Sequence, residues 1–192
     1  MPREVRRNIT EPEALAALAH PVRLELINYL MASGPATASV CARAVGDTPS
    51  NCSYHLRTLA RAGLVDTVES DDGRERPWRA LVTGYDTDLA DPDKPLSPEA
   101  SRLLAVSLQR DQQIVRDFMT RRHEVPAEWR AAYAYATYTL RLSPTELVAL
   151  GTQIDALIRP YISATREEAP DGAGLVQVGL HAVPTPDRES GS

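Results

Sequence analysis

Lysine, cysteine and phenylalanine are scarce in this chain of 192 residues, with Lys94 alone among 21 basic residues, two cysteines and one phenylalanine. Cys41 and Cys52 are too few and too far apart for a disulfide framework or a CxxC zinc knuckle. They are read as buried thiols, the usual state of a free cysteine. The lysine deficit reflects coding more than chemistry, although guanidinium is the better bidentate partner for phosphate and guanine. No apolar run approaches the roughly 20 residues of a bilayer span, and the amino terminus, MPREVRRNITEPE, lacks the apolar centre of a signal peptide. The chain is therefore expected in the cytoplasm and away from membranes. A glycine-rich phosphate loop, a GxSxG elbow and a clustered Cys/His or carboxylate set are also missing, so neither an enzyme nor a metal or other cofactor is expected.

What is present is an ordinary soluble mixture, 43% hydrophobic and 24% charged. The net charge of −5 is unevenly placed: residues 1–85 hold ten arginines and ten acidic groups, and the remaining eleven basic and sixteen acidic groups lie downstream. A nucleic-acid binder usually carries a basic excess, and the first half of this chain does not.

Residues 1–9 have no periodicity and are expected to be a loose tail. Thr10 and Glu13 have capping-box spacing ahead of Leu15 and Leu18, and Pro21 closes that helix and opens the next, with Val22, Leu26, Ile27 and Leu30 at core spacing. His20, at this corner, reads as structural. Thr37 caps a short helix over residues 38–45, and Gly46-Asp47 turns the chain into PSNCSYHLRTLARAGLV, residues 49–65. There Cys52, Leu56, Leu59 and Leu64 form an apolar stripe, while Ser50, Asn51, Ser53, Tyr54 and Arg57 lie off it. Thr48-Pro49 starts this helix and Gly63 stops it. Two short helices joined by a tight turn, the second with a polar amino-terminal face, are the helix-turn-helix arrangement.

Residues 64–69 and 78–82 then alternate as two strands around Asp72-Gly73, a hairpin signal that makes a wing. Arg57 and Asn51 are the side chains suited to guanine and adenine edges, Ser50, Ser53 and Tyr54 to phosphate or water-mediated contacts, and Arg74, Arg76 and Arg79 to wing contacts.

The order ALAHPVRLELINYL, SNCSYHLRTLARAGLV and an arginine-bearing hairpin ending in WRAL resembles the winged helix-turn-helix of the ArsR family of bacterial transcriptional repressors, over about residues 11–83. The resemblance implies a homodimer that binds a palindromic operator in double-stranded DNA and blocks transcription. The metal-sensing members' paired cysteines are not matched, since Cys41 stands alone in SVCARAV and the later helix offers only His123. A winged helix used for protein–protein contact, without specific DNA binding, is the alternative reading.

The fold class is α+β, mainly α. A winged domain over 10–83 is followed by a linker over 84–95, a long helix over 96–125, a strand-helix-strand unit over 126–183 and a tail over 184–192. The long helix carries Leu103, Leu104, Leu108, Val115, Phe118 and Met119, and with the family resemblance this stripe is the expected dimer contact. Trp129, Tyr133, Tyr135 and Tyr138 are candidates for a pocket that takes a small-molecule effector of unassigned class. Residues 136–142 and 175–183 alternate as strands on either side of a helix opened by the Ser143–Glu146 capping box, with a crossover long enough for parallel pairing.

Overall fold

Five helices begin at a proline, whose fixed φ suits a first turn that needs no amide partner: α1 (Pro12–Leu18), α2 (Pro21–Ser33), α4 (Pro49–Arg61), α5 (Pro98–Thr120) and α7 (Pro144–Ile158). The other two are α3 (Ala38–Val45) and α6 (Ala127–Ala132). Four short strands, β1 (Arg7–Ile9), β2 (Val65–Thr67), β3 (Trp78–Ala80) and β4 (Tyr85–Thr87), and two 3-10 turns, Arg122–Glu124 and Arg159–Tyr161, complete the set. The structure, a computed structural model, describes residues 7–69, 76–87, 95–163, 165–166 and 168–185.

Hydroxyl caps fix the helix starts. Thr37 Oγ1 accepts from the Val40 amide at 3.3 Å, Thr48 Oγ1 from Asn51 at 3.2 Å and Ser97 Oγ from Ala100 at 3.1 Å, while Ser143 and Glu146 form a reciprocal box. The box expected at Thr10 does not form, because Pro12 places the cap at Glu11, one residue later, and Glu11 makes no side-chain cap bond. Gly46 and Gly63, both at φ 69, turn the chain out of α3 and α4.

The core lies among α1, α2, α3, α4 and the β2–β3 hairpin. Leu18, Leu26, Ile27, Leu30, Cys41, Cys52, Leu56, Leu59 and Leu64 are all inaccessible to solvent, and both cysteines are buried thiols outside any disulfide, as expected. β2 and β3 pair antiparallel with Val65 opposite Ala80, and Ala36 adds a bridge to Trp78. The wing strands are thus in place, and its tip, with Arg74 and the Asp72-Gly73 turn, lies outside the described residues.

Two strands lie just outside the expected limits of the winged domain. Within the segment read as a loose tail, Arg7–Ile9 is a strand, paired in parallel with Tyr85–Thr87 from the segment read as linker. Ile9 is buried in the core, which supplies the driving force, and Arg7 donates to the Gly63 carbonyl at 3.3 Å and to Glu11 at 3.0 Å. The Tyr85 hydroxyl shares hydrogen bonds with Ser107 and Asn28, and burial pushes its ionisation up. The β1–β4 pair thus joins residues on both sides of the expected winged domain.

Helix α5 belongs to two environments. Its first turns pack on α1 and α2, burying Ala100 and Leu103, and Arg110 forms an ion pair with Glu25 of α2 at 2.9 Å. Leu103 is thus a residue of the chain's own core and not a free dimer contact, because the amino-terminal half of the helix closes the winged domain. Beyond Ile114 the helix is largely exposed, including Val115 and Met119.

The strands expected over 136–142 and 175–183 do not form; neither segment has regular secondary structure or a ladder partner among the described residues. The parallel pairing is absent among the described residues. α7 between them has no buried residue.

Candidate nucleic-acid interface

Helix α4 sorts its side chains by period. Cys52, His55, Leu56 and Leu59 face inward, and Ser50, Asn51, Tyr54, Arg57 and Arg61 face solvent, with Ser53 half-buried between the two sets. Tyr54 is 55% exposed. Tyr54, Arg57, Ala60 and Arg61 line a shallow surface groove. Although residues 1–85 are neutral overall, α4 carries Arg57 and Arg61 and no acidic residue. Its outward face is therefore cationic. Arg61 lies one turn beyond Arg57, and in the sequence only that four-residue spacing marks it.

The amino-terminal end of α4 is already occupied. Asp47 accepts from the Thr48 amide through Oδ1 and from Asn51 Nδ2 through Oδ2, each at 2.6 Å, and these bonds hold its carboxyl below the usual carboxylate range. Asn51 is consequently tied to Asp47 in the free protein, and must exchange that bond before it can meet a base edge. In the hairpin, Arg79 stands opposite Asp66, with its Nη2 3.8 Å from the carboxylate, so it is engaged across the strands. Arg76 is exposed at the edge of the described wing.

Beneath the exposed face lies a pair of histidines. The rings of His20 and His55 are 4.7 Å apart, and neither Nδ1 has a hydrogen-bond partner among the described residues. Arg23 stands beside them, donating through Nη2 to the Ala16 carbonyl at 2.9 Å and through Nε to that of Ala17. Burial, and then the Arg23 charge, hold both histidines below the ordinary imidazole value, with Asp47 opposing the shift at His55. His20 is thus structural, as its place in the sequence suggested, and it has a partner that the sequence did not reveal. An unfolded chain takes up these protons near pH 6.5 while the folded one resists. The stability is therefore present above that pH and is lost as pH falls through the depressed folded values. Thermal unfolding between pH 7.5 and 5 should show a falling midpoint, and His55→Gln should flatten the fall. An unchanged slope in that variant would remove the pair as the cause.

The four aromatic candidates for a pocket do not converge. Tyr133 stacks on Phe118 at 4.8 Å, the Trp129 indole lies over Gly174, and Tyr135 and Tyr138 are 79% and 77% exposed. A second groove, about 420 Å³, is bounded instead by Tyr29, Met31, Thr83, Arg110, Ile162 and Leu175, among others. Among the described residues there is no group of three or more potential metal ligands, and no helix is long and apolar enough to cross a membrane.

Two short helices around a tight turn, a third packed behind them and an antiparallel hairpin following α4 define a winged helix-turn-helix protein. Residues 18–68 match the model of a family described as a helix-turn-helix domain. Among solved structures, the chain is similar to the homodimeric winged helix-turn-helix DNA-binding domain (fragment 1–100) of Mb0332 from Mycobacterium bovis, a possible ArsR-family transcriptional regulator. The identity is 23% and the TM-score 0.33, over 59% of this chain and 84% of that one. No curated protein matches the chain.

Proposed function

We propose that this protein is a sequence-specific DNA-binding transcriptional regulator of the ArsR type, a cytoplasmic repressor that acts as a homodimer on a palindromic operator. The observation that carries the reading is α4 itself: a capped helix whose apolar side is buried while Ser50, Asn51, Tyr54, Arg57 and Arg61 stand outward, uncovered by the rest of the chain. Such a helix fits the major groove, where Arg57 is suited to guanine and Asn51, once released by Asp47, to adenine. Arg61, Ser50, Ser53 and Tyr54 are assigned to phosphate and water-mediated contacts, with Arg74, Arg76 and Arg79 in or beside the wing.

Selection of bound fragments from the source genome tests this directly. Affinity should fall steeply with salt, and one palindrome should be enriched. The absence of any enriched fragment at any salt would favour the winged helix as a protein-contact module, the use to which the neutral charge of residues 1–85 points.

A further inference from the structure

The carboxyl-terminal third of the chain has no inside. Of the large hydrophobic side chains left exposed in the molecule, thirteen lie between Tyr135 and Val183, including Leu140, Val148, Leu157, Val176, Val178 and Leu180.

The way the last segment docks identifies what is missing. Gln177 accepts from Arg110 Nη1 at 3.2 Å and donates to Asp111 at 3.4 Å, and His181 Nε2 lies 3.8 Å from the Asp111 carboxylate. Gly179, between them, approaches Asp111 so closely that an added Cβ would lie 3.3 Å from its carboxylate. Gln177, Gly179 and His181 are alternate residues, so one face of the extended segment lies on α5. The opposite face is Val176, Val178 and Leu180, exposed at 66%, 61% and 56%. Gln177, Gly179 and His181 thus meet α5, while Val176, at the edge of the groove described above, Val178 and Leu180 stay largely exposed. A monomer gains nothing from that arrangement, and a second protein layer completes it.

We infer that residues 133–183 form a dimerisation arm, in which the 134–142 and 175–183 segments and α7 of one copy are covered by the same elements of a second copy. This rests on the homodimer of the preceding reading and not on its DNA contacts. Both segments have backbone groups without a ladder partner among the described residues, and a twofold axis would supply an identical pair of edges, each meeting its own kind. The arm is continuous with the exposed end of α5, where Val115 and Met119 stand free and Phe118 stacks on Tyr133. Its charge argues for the same occupant: residues 126–183 hold six acidic and four basic groups, a balance that attracts neither nucleic acid nor an anionic membrane.

Sedimentation equilibrium of the full chain without DNA tests the inference. The wild type should be a dimer, and the double variant Val178→Glu with Leu180→Glu should raise the dimer dissociation constant more than about a hundredfold, because buried carboxylates would be left unpaired. Both positions are already solvent-facing in the single chain, so the monomer keeps its fold, checked by an unchanged circular dichroism spectrum. Amides of 134–142 and 175–183 should be protected from hydrogen exchange in the wild type and exposed in the variant. Tyr54→Glu, equally exposed but on α4, should leave the dimer whole while removing DNA binding. A monomeric wild type, or a double variant that dimerises as tightly as wild type, overturns the arm. A wild-type dimer that responds as described but enriches no DNA sequence overturns the regulator and leaves the arm standing.

Discussion

Truncating Leu56 to alanine should lower the unfolding free energy by about 2–5 kcal/mol. Leu56 is fully buried on the inner face of α4, where that helix meets α2 and α3, and closely packed neighbours cannot collapse around the space left behind. Against a total stability of about 5–15 kcal/mol for an ordinary domain, such a loss takes a large share of the folded population. Urea unfolding followed by circular dichroism measures it. A loss under about 0.5 kcal/mol, the level of a surface substitution, would mean that α4 is not seated as described.

Its neighbour should give the opposite result. Arg57 makes no hydrogen bond or ion pair to any described residue, so Arg57→Ala should leave the unfolding curve in place. In binding, it should cost about 1–3 kcal/mol, roughly 5- to 150-fold in affinity, and relax the base preference at one position of each half-site. Competition titrations against single-base operator variants distinguish the two possible roles. Equal weakening on every sequence would assign the guanidinium to phosphate. The pair Leu56 and Arg57 thus separates folding from recognition within two consecutive residues.

The helices were legible because their signals are local. Pro21, Thr37, Thr48-Pro49, Ser97-Pro98 and Ser143-Pro144 act within one turn, and the 3.6-residue period separated Leu56 from Arg57 without tertiary information. His55 was hidden for the converse reason: a polar residue on the buried side breaks the pattern, and only the fold brings His20 against it. The β1–β4 pair joins residues nearly eighty positions apart through strands of three residues, too short to carry a period. The arm shows a different limit. Alternation in 136–142 and 175–183 predicts strands that do not form among the described residues, because periodicity names a face and never the molecule that covers it.

The two environments of α5 bear on operator geometry. Leu103 and the Arg110–Glu25 pair fasten its first turns to the winged unit, and the same unbroken helix of 23 residues carries the exposed far end toward the arm. In the proposed dimer, a rigid connection from α5 through the arm would make the distance between two α4 helices a fixed dimension of the assembly. One base pair added between half-sites shifts the second by about 3.4 Å and rotates it by about 34°. A stiff yoke cannot follow that screw motion. Such a repressor would discriminate operators by their spacer length as sharply as by their letters.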